Sequence, residues 1–327
     1  MQFLWDYASF SCKIRIFAHK NSIMRHLKYI FIILAILALL LIGASEYFLR
    51  YALQPTLKNV PQREWTDSVM KRHALCDTFI VSRETGDSIH AWYLRADSVT
   101  DKVAVLVHGY TDNALWMGDI ASIYDRQLHY NILLPDLHYH GQSKGNYVQM
   151  GWKDRLDVLQ WCALADSLFG GNTCQVLHGV SMGAATIMSV SGEALPDYIR
   201  CFVEDCGYTS VWEEFKNSMD DQFSLPPFPL LHTTSWLCKL RNGWSFSEAS
   251  PLSQVAKADR PMLFIHGGND SFVNTEMVYS LYAEKHGVKQ LWIAPGAKHA
   301  KSYYDHPSEY AARVCAFVEK YNSHNWR

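Results

Sequence analysis

The pentapeptide Gly179-Val180-Ser181-Met182-Gly183 lies between an apolar run at 175–177 and a helical stretch at 184–190. A serine on so tight a strand-to-helix turn holds a strained backbone, and glycines flank it because side chains there would clash with neighbouring backbone. The turn lifts Ser181 Oγ above the sheet at a helix N-terminus, whose dipole favours developing negative charge. Residues placed this way suit nucleophilic attack, with Ser181 as the attacking group.

An attacking hydroxyl needs a base, and the base needs a carboxylate to orient it. Asp270 closes the segment His266-Gly267-Gly268-Asn269-Asp270 after an apolar run, and His299 closes Pro295-Gly296-Ala297-Lys298-His299 after the next. Glu204 and Asp205 are rival acids, since they end the preceding run. Of the 15 histidines, His299 alone follows the last strand at the required place, while His178 and His266 fall inside strand patterns and read as core residues. A tetrahedral intermediate also needs its oxyanion held. His108-Gly109-Tyr110 ends another strand, so the expected donors are the backbone amides of Tyr110 and Met182. Asp136, His138 and His140 lack the spacing of a metal site and read as a structural loop, so neither a metal nor an organic cofactor is expected.

These residues must be positioned by eight strands, predicted at 76–82, 88–95, 103–108, 131–134, 175–180, 200–205, 261–266 and 290–294. Helices fall between the later ones. The clearest spans 153–169, where Leu156, Leu159, Leu164 and Leu168 recur near a 3.6-residue period and Gly170-Gly171 ends it. Continuous apolar strands alternating with helices imply an α/β fold: a mostly parallel sheet covered on both faces, with an antiparallel pair at its start. Sites in such sheets form at the strands' carboxyl ends. Residues 208–250 break the alternation. They are rich in aromatics, and Pro226, Pro227 and Pro229 prevent a long helix. This reads as a small helical insertion over the carboxyl edge, a lid or a packed decoration, with Trp212, Phe215, Phe228 and Trp236 as candidate pocket residues.

With serine, acid and histidine in this order and context, residues 70–325 resemble the α/β-hydrolase fold superfamily. The run Leu134-Pro135-Asp136-Leu137-His138-Tyr139-His140-Gly141-Gln142-Ser143 resembles the segment after its fourth strand, with His138 where an Arg is usual. The details are most similar to membrane-anchored bacterial hydrolases near the serine aminopeptidase and prolyl-oligopeptidase-related branches. The resemblance implies a serine hydrolase acting on an ester, thioester or amide of a small-molecule or peptide acyl substrate. An acyltransferase using the same triad and an inactive binding scaffold are the alternatives.

The whole chain has 327 residues, 49% apolar and 19% charged, which excludes a disordered protein. Its formal charge of −2 suggests no nucleic-acid partner, but that total conceals an asymmetry: +4 on residues 1–28 and −6 on the remainder. Residues 29–45 carry no charge, and 30–42 are almost wholly Ile, Leu, Phe and Ala. The expected organisation is a basic leader at 1–28, with Met24 as an alternative start, a transmembrane signal anchor at 29–50, a linker at 51–75 and the catalytic domain at 76–325. Basic residues on the leading flank keep that end cytoplasmic and send the catalytic domain across the membrane. A cleaved signal peptide, ending near Gly43-Ala44-Ser45 and leaving a secreted or periplasmic enzyme, and a buried core helix are the alternatives. Cys201 with Cys206 and Cys162 with Cys174 are candidate disulfides. Oligomeric state is not legible.

Overall fold

The computed structural model describes residues 2–57, 64–71 and 74–325. Helix α1 (Gln2–Leu53) and the short α2 (Glu64–Lys71) precede a sheet of β1 (Leu75–Val81), β2 (Ser88–Leu94), β3 (Lys102–Val107), β4 (Asn131–Pro135), β5 (Cys174–Val180), β6 (Ile199–Asp205), β7 (Met262–Gly267) and β8 (Lys289–Ala294). Between and after the strands run α3 (Gly118–Arg126), α4 (Asp154–Leu168), α5 (Met182–Ser191), α6 (Val211–Phe223), α7 (Leu230–Asn242), α8 (Pro251–Val255), α9 (Glu276–Glu284), α10 (Ser302–Asp305) and α11 (Pro307–Tyr321). The strand order is β1-β2-β4-β3-β5-β6-β7-β8. β2 pairs antiparallel with both neighbours, and every pair from β4 to β8 is parallel.

Period-2 alternation along the strands builds two cores. Val103, Val105 and Val107 of β3 pack with Val158 and Trp161 of α4 and Ile187 of α5. Ala104 and Leu106, between them in sequence, face Ile120 and Tyr124 of α3 and Val314 of α11. Helices therefore cover both faces, and the carboxyl ends of β3, β5, β6, β7 and β8 share one edge.

The stretch 51–75 is not a plain linker. Its first residues complete α1, and α2 buries Trp65 and Val69, one helical turn apart, with Trp65 Nε1 donating to Asp125 Oδ2 at 2.8 Å. The cysteines after α1 are free thiols. Cys201 and Cys206 are five positions apart on an extended segment, roughly 16 Å, far beyond the reach of a disulfide. Cys162 on α4 and Cys174 on β5 are both buried and likewise free.

Close packing fixes the turn after β5. A Cβ on Gly183 would overlap the carbonyl oxygens of Val107 and His108, and one on Gly179 would overlap the Gly183 backbone. These neighbours are backbone atoms and cannot rotate away. Gly183→Ala is therefore expected to lose about 3 kcal/mol of stability, read as a fall of roughly 5–10 °C in a thermal-unfolding scan.

Candidate active site

β5 runs directly into Ser181, which has φ 57° and ψ −118° and opens α5. This left-handed conformation is strained for a serine, and it is held by Ser181 N donating to Asp205 O at 2.8 Å and by the close packing of both glycines. Ser181 Oγ lies 2.9 Å from His299 Nε2, in the loop after β8. The other ring nitrogen, His299 Nδ1, is 2.8 Å from Asp270 Oδ2, in the loop after β7. Three segments far apart in sequence thus converge on one edge of the sheet.

The second oxygen of Asp270 accepts from the backbone N–H groups of Phe272 and Val273 at 3.0 and 3.1 Å. Burial works to raise this carboxyl, but hydrogen bonds from His266 and His299 outweigh it and hold Asp270 below the usual carboxylate range. An ionised carboxylate can only accept, so His299 Nδ1 carries the ring proton and Nε2 is left to accept from Ser181 Oγ. Phe272 lies over the imidazole with ring centroids 4.9 Å apart.

The rival acids are engaged elsewhere. Glu204 accepts from Gly207 N at 3.1 Å, and Asp205 accepts from Ser302 Oγ at 3.1 Å. Burial raises their carboxyls to about 8 and about 6 respectively. His178 is a core residue bonded to Tyr124 and Tyr310 hydroxyls at 3.0 and 2.9 Å. His266 is also buried, donating through Nε2 to Val273 O at 2.9 Å, and the same nitrogen lies 3.4 Å from Asp270.

Met182 is the first residue of α5, so its N–H has no intrahelical partner by position. Met182, Tyr110 and Ser181 line one cavity. The turn carrying Tyr110 is pinned from two sides. Thr111, at φ 63°, donates its N–H to His140 Nε2 at 3.2 Å, and His108 Nε2 accepts from Leu137 N at 3.0 Å. The left-handed residue of this turn is thus Thr111 rather than Gly109. Asp136 accepts from Ala114 N and pairs with His90, both at 2.7 Å, and His138 pairs with Asp157 at 2.9 Å. Asp136 and His140 brace this turn, while the His138 side chain bonds to Asp157 and Thr85 elsewhere.

A model of the prolyl oligopeptidase family matches residues 137–324, more than half of the chain. The chain belongs to the prolyl oligopeptidase family. With that membership it is a serine-dependent α/β hydrolase. The uncharacterized protein YqkD of Bacillus subtilis is 29% identical over 244 residues, covering 75% of this chain and 79% of that protein. The Pyrococcus furiosus esterase Pf2001 superposes with a TM-score of 0.66 at 21% identity, covering 83% of this chain and 98% of that one. The Pyrococcus horikoshii acylaminoacyl peptidase gives 0.54 at 16% identity, covering 79% of this chain and 43% of that one. These structural likenesses are of fold. The matched span of the prolyl oligopeptidase family holds Ser181, Asp270 and His299, whereas Tyr110 and α1 precede it.

The cavity above Ser181 measures about 540 Å³. Of the four aromatics expected in it, Phe215 lines the wall. Trp212 packs edge-on to His232 instead, and Phe228 and Trp236 are 71% and 62% exposed. The helical period explains the outcome for α7: Leu231 and Thr234 share the face turned to the cavity, and Trp236 lies on the face turned outward. Composition alone missed Phe48, Tyr51 and Ala52 of α1, which form part of the wall.

Among the described residues Glu214 is the one ionisable carboxyl on that wall, and its Oε2 finds no hydrogen-bond partner among them. Burial, reinforced by the negative charges of Asp270 and Asp221, pushes it up to about 8, so it is neutral at pH 7. Ionisation would place an uncompensated charge in the cavity beside Ser181. For an uncharged ester, kcat/KM is expected to fall about tenfold between pH 7 and pH 9 as the neutral fraction drops. Glu214→Gln, which cannot ionise, should abolish this alkaline limb in a pH–rate profile.

Proposed function

We propose that this chain is a membrane-anchored serine hydrolase working through an acyl-enzyme on Ser181. The observation that carries the reading is the unbroken relay Ser181 Oγ, His299 Nε2, His299 Nδ1, Asp270 Oδ2, with links of 2.9 and 2.8 Å. Ser181 Oγ attacks the acyl carbonyl carbon while its proton passes to His299 Nε2. Asp270 keeps the ring in the productive tautomer and stabilises the imidazolium that forms. The N–H groups of Tyr110 and Met182 hold the oxyanion. As the intermediate collapses, the bond to the leaving alcohol or amine breaks and His299 returns the proton to it. Water then repeats the sequence, with His299 as base, and frees the acid and Ser181.

The anchor rests on α1. Its segment His19–Leu53 is long and apolar enough to cross a membrane, with a mean hydropathy of 2.7 in its most apolar window. The helix is continuous through Gly43-Ala44-Ser45, and Ser45 is buried with its Oγ 2.6 Å from Thr233 Oγ1 of α7. A peptidase requires an extended substrate, so this docking supports an uncleaved span. The charge step across it supports a cytoplasmic N-terminus with the catalytic domain on the far side.

Rapid mixing of purified protein with p-nitrophenyl esters tests the acyl-enzyme. The expected result is a burst of p-nitrophenol approaching one per chain before the steady state, provided deacylation is the slower step; a parallel panel of aminoacyl amides ranks esters against amides. Failure of every ester and amide to turn over would contradict the hydrolase reading.

A further inference from the structure

The anchor helix does not end at the membrane. Exposed Ile, Leu and Phe side chains cover it through Ile42, after which Ser45, Leu49 and Leu53, spaced four apart, are buried against the catalytic domain. Glu46 pairs with Arg241 of α7, and Leu53 O accepts from Val148 N at 2.8 Å. Between these buried positions, Phe48, Tyr51 and Ala52 face the cavity that holds Ser181. Phe48 and Tyr51 pack edge-on against Phe223 of α6, with centroids 5.0 and 5.7 Å apart, and Tyr51 donates its hydroxyl to Gln222 Oε1 at 2.9 Å. The Tyr110 hydroxyl donates to Ala52 O at 2.8 Å, which ties the end of α1 to the turn beside Ser181.

Helical rise fixes how far this wall stands from the bilayer. Phe48 lies six positions beyond Ile42, about 9 Å along the axis, which puts the wall at the outer edge of the lipid headgroups. The outer surface agrees with that depth. Trp236 and Leu240, one turn apart on α7, are 62% and 68% exposed beside the α1 contact, and Trp is the residue favoured at a membrane interface.

The cavity wall is mainly apolar. Among the described residues no Lys or Arg lines it, which favours an uncharged head over a phosphate or carboxylate.

We propose that the end of α1 is a wall of the acyl site and that the substrate is an uncharged long-chain carboxylic ester drawn from the bilayer along this helix. The inference rests on the membrane-anchored serine hydrolase reading above and adds its substrate class. The chain of such an ester lies between Phe48, Phe223 and Leu231, and its carbonyl reaches Ser181 while the polar head stays at the interface.

The test uses the full chain reconstituted in phosphatidylcholine vesicles, with glycerol mono-oleate and glycerol monobutyrate as substrates that share a head and differ in chain. Wild type is expected to favour the oleate in kcat/KM, referred to total substrate, by at least about a hundredfold, the scale set by roughly four methylenes leaving water for the bilayer and the site. Phe48→Asp should lower that oleate-to-butyrate ratio at least about tenfold, because a charge then lines the path of the longer chain. The wild-type ratio stands as a test even if the variant does not fold. A ratio near one, or hydrolysis of the butyrate alone, would overturn the proposal while leaving the hydrolase reading intact. Preferential cleavage of phosphatidylglycerol would also overturn it, by showing an anionic head. Inactivity on both esters together with inertness toward small activated esters would instead sink the hydrolase reading. Release of the protein from the vesicles by alkaline carbonate would sink the anchor.

Discussion

Ser181→Ala is expected to lower kcat by roughly 10⁵–10⁶ on any ester the enzyme turns over, the scale on which loss of a serine nucleophile acts elsewhere. The substitution removes one oxygen, whose side-chain partner is His299 Nε2 at 2.9 Å. It leaves the backbone bonds of the turn, from Ser181 N to Asp205 O and from Ala185 N to Ser181 O, in place. Fold and cavity should therefore persist, and KM should change far less than kcat. The residual rate would come from binding and from the oxyanion donors, which the variant retains. Steady-state kinetics on the purified variant, with an unfolding scan to show that it is folded, makes the measurement. Retention of more than a hundredth of wild-type kcat would place the nucleophile elsewhere.

Asp270→Asn is expected to cost about 10⁴ in kcat, with a small effect on stability. The two oxygens of Asp270 do different things. Oδ1 accepts from Phe272 and Val273 N–H, a role an asparagine carbonyl can keep. Oδ2 accepts from His299 Nδ1, and an amide NH₂ in its place has nothing to accept with. The imidazole would then turn its lone pair toward residue 270 and carry its proton on Nε2, facing Ser181. A serine hydroxyl that meets an N–H instead of a lone pair has no base. The loss should appear in kcat at neutral pH with the turn still folded. A reduction under tenfold would mean that His299 is oriented by another acid, with Glu204 or Asp205 the next to replace.

The sheet was legible because its strands are short apolar runs, continuously buried at the centre of the sheet and alternating at its edges β1 and β8. All eight appear within one residue of their expected bounds, from Leu75–Val81 to Lys289–Ala294. The convergence of Ser181, Asp270 and His299 was legible for a related reason. Each follows a parallel strand, and parallel strands deliver their carboxyl ends to one edge. The cap was legible as composition and not as direction. Phe228 and Phe215 are the same residue type in the same segment, yet one points to solvent and the other to the cavity.

Helix α1 shows why the remainder was hidden. Ile30 to Ile42 identifies itself by hydropathy, but the next turns carry mixed residues, and only packing against α7 assigns Ser45 and Leu49 to the core and Phe48 to the cavity. The i, i+4 spacing of Ser45, Leu49 and Leu53 is the one trace of that packing in the sequence. Glu214 was hidden likewise, since a glutamate in the first turn of a helix is usually a solvated residue stabilised by the dipole.

The central claim, that Ser181 is the nucleophile, is tested most directly by intact-protein mass spectrometry after treatment with a fluorophosphonate, followed by peptide mapping. The expected result is a single phosphonyl adduct on the peptide containing Gly179-Val180-Ser181-Met182-Gly183, absent in Ser181→Ala and formed far more slowly in Asp270→Asn. An adduct on another residue, or no adduct on folded protein that still hydrolyses esters, would contradict it.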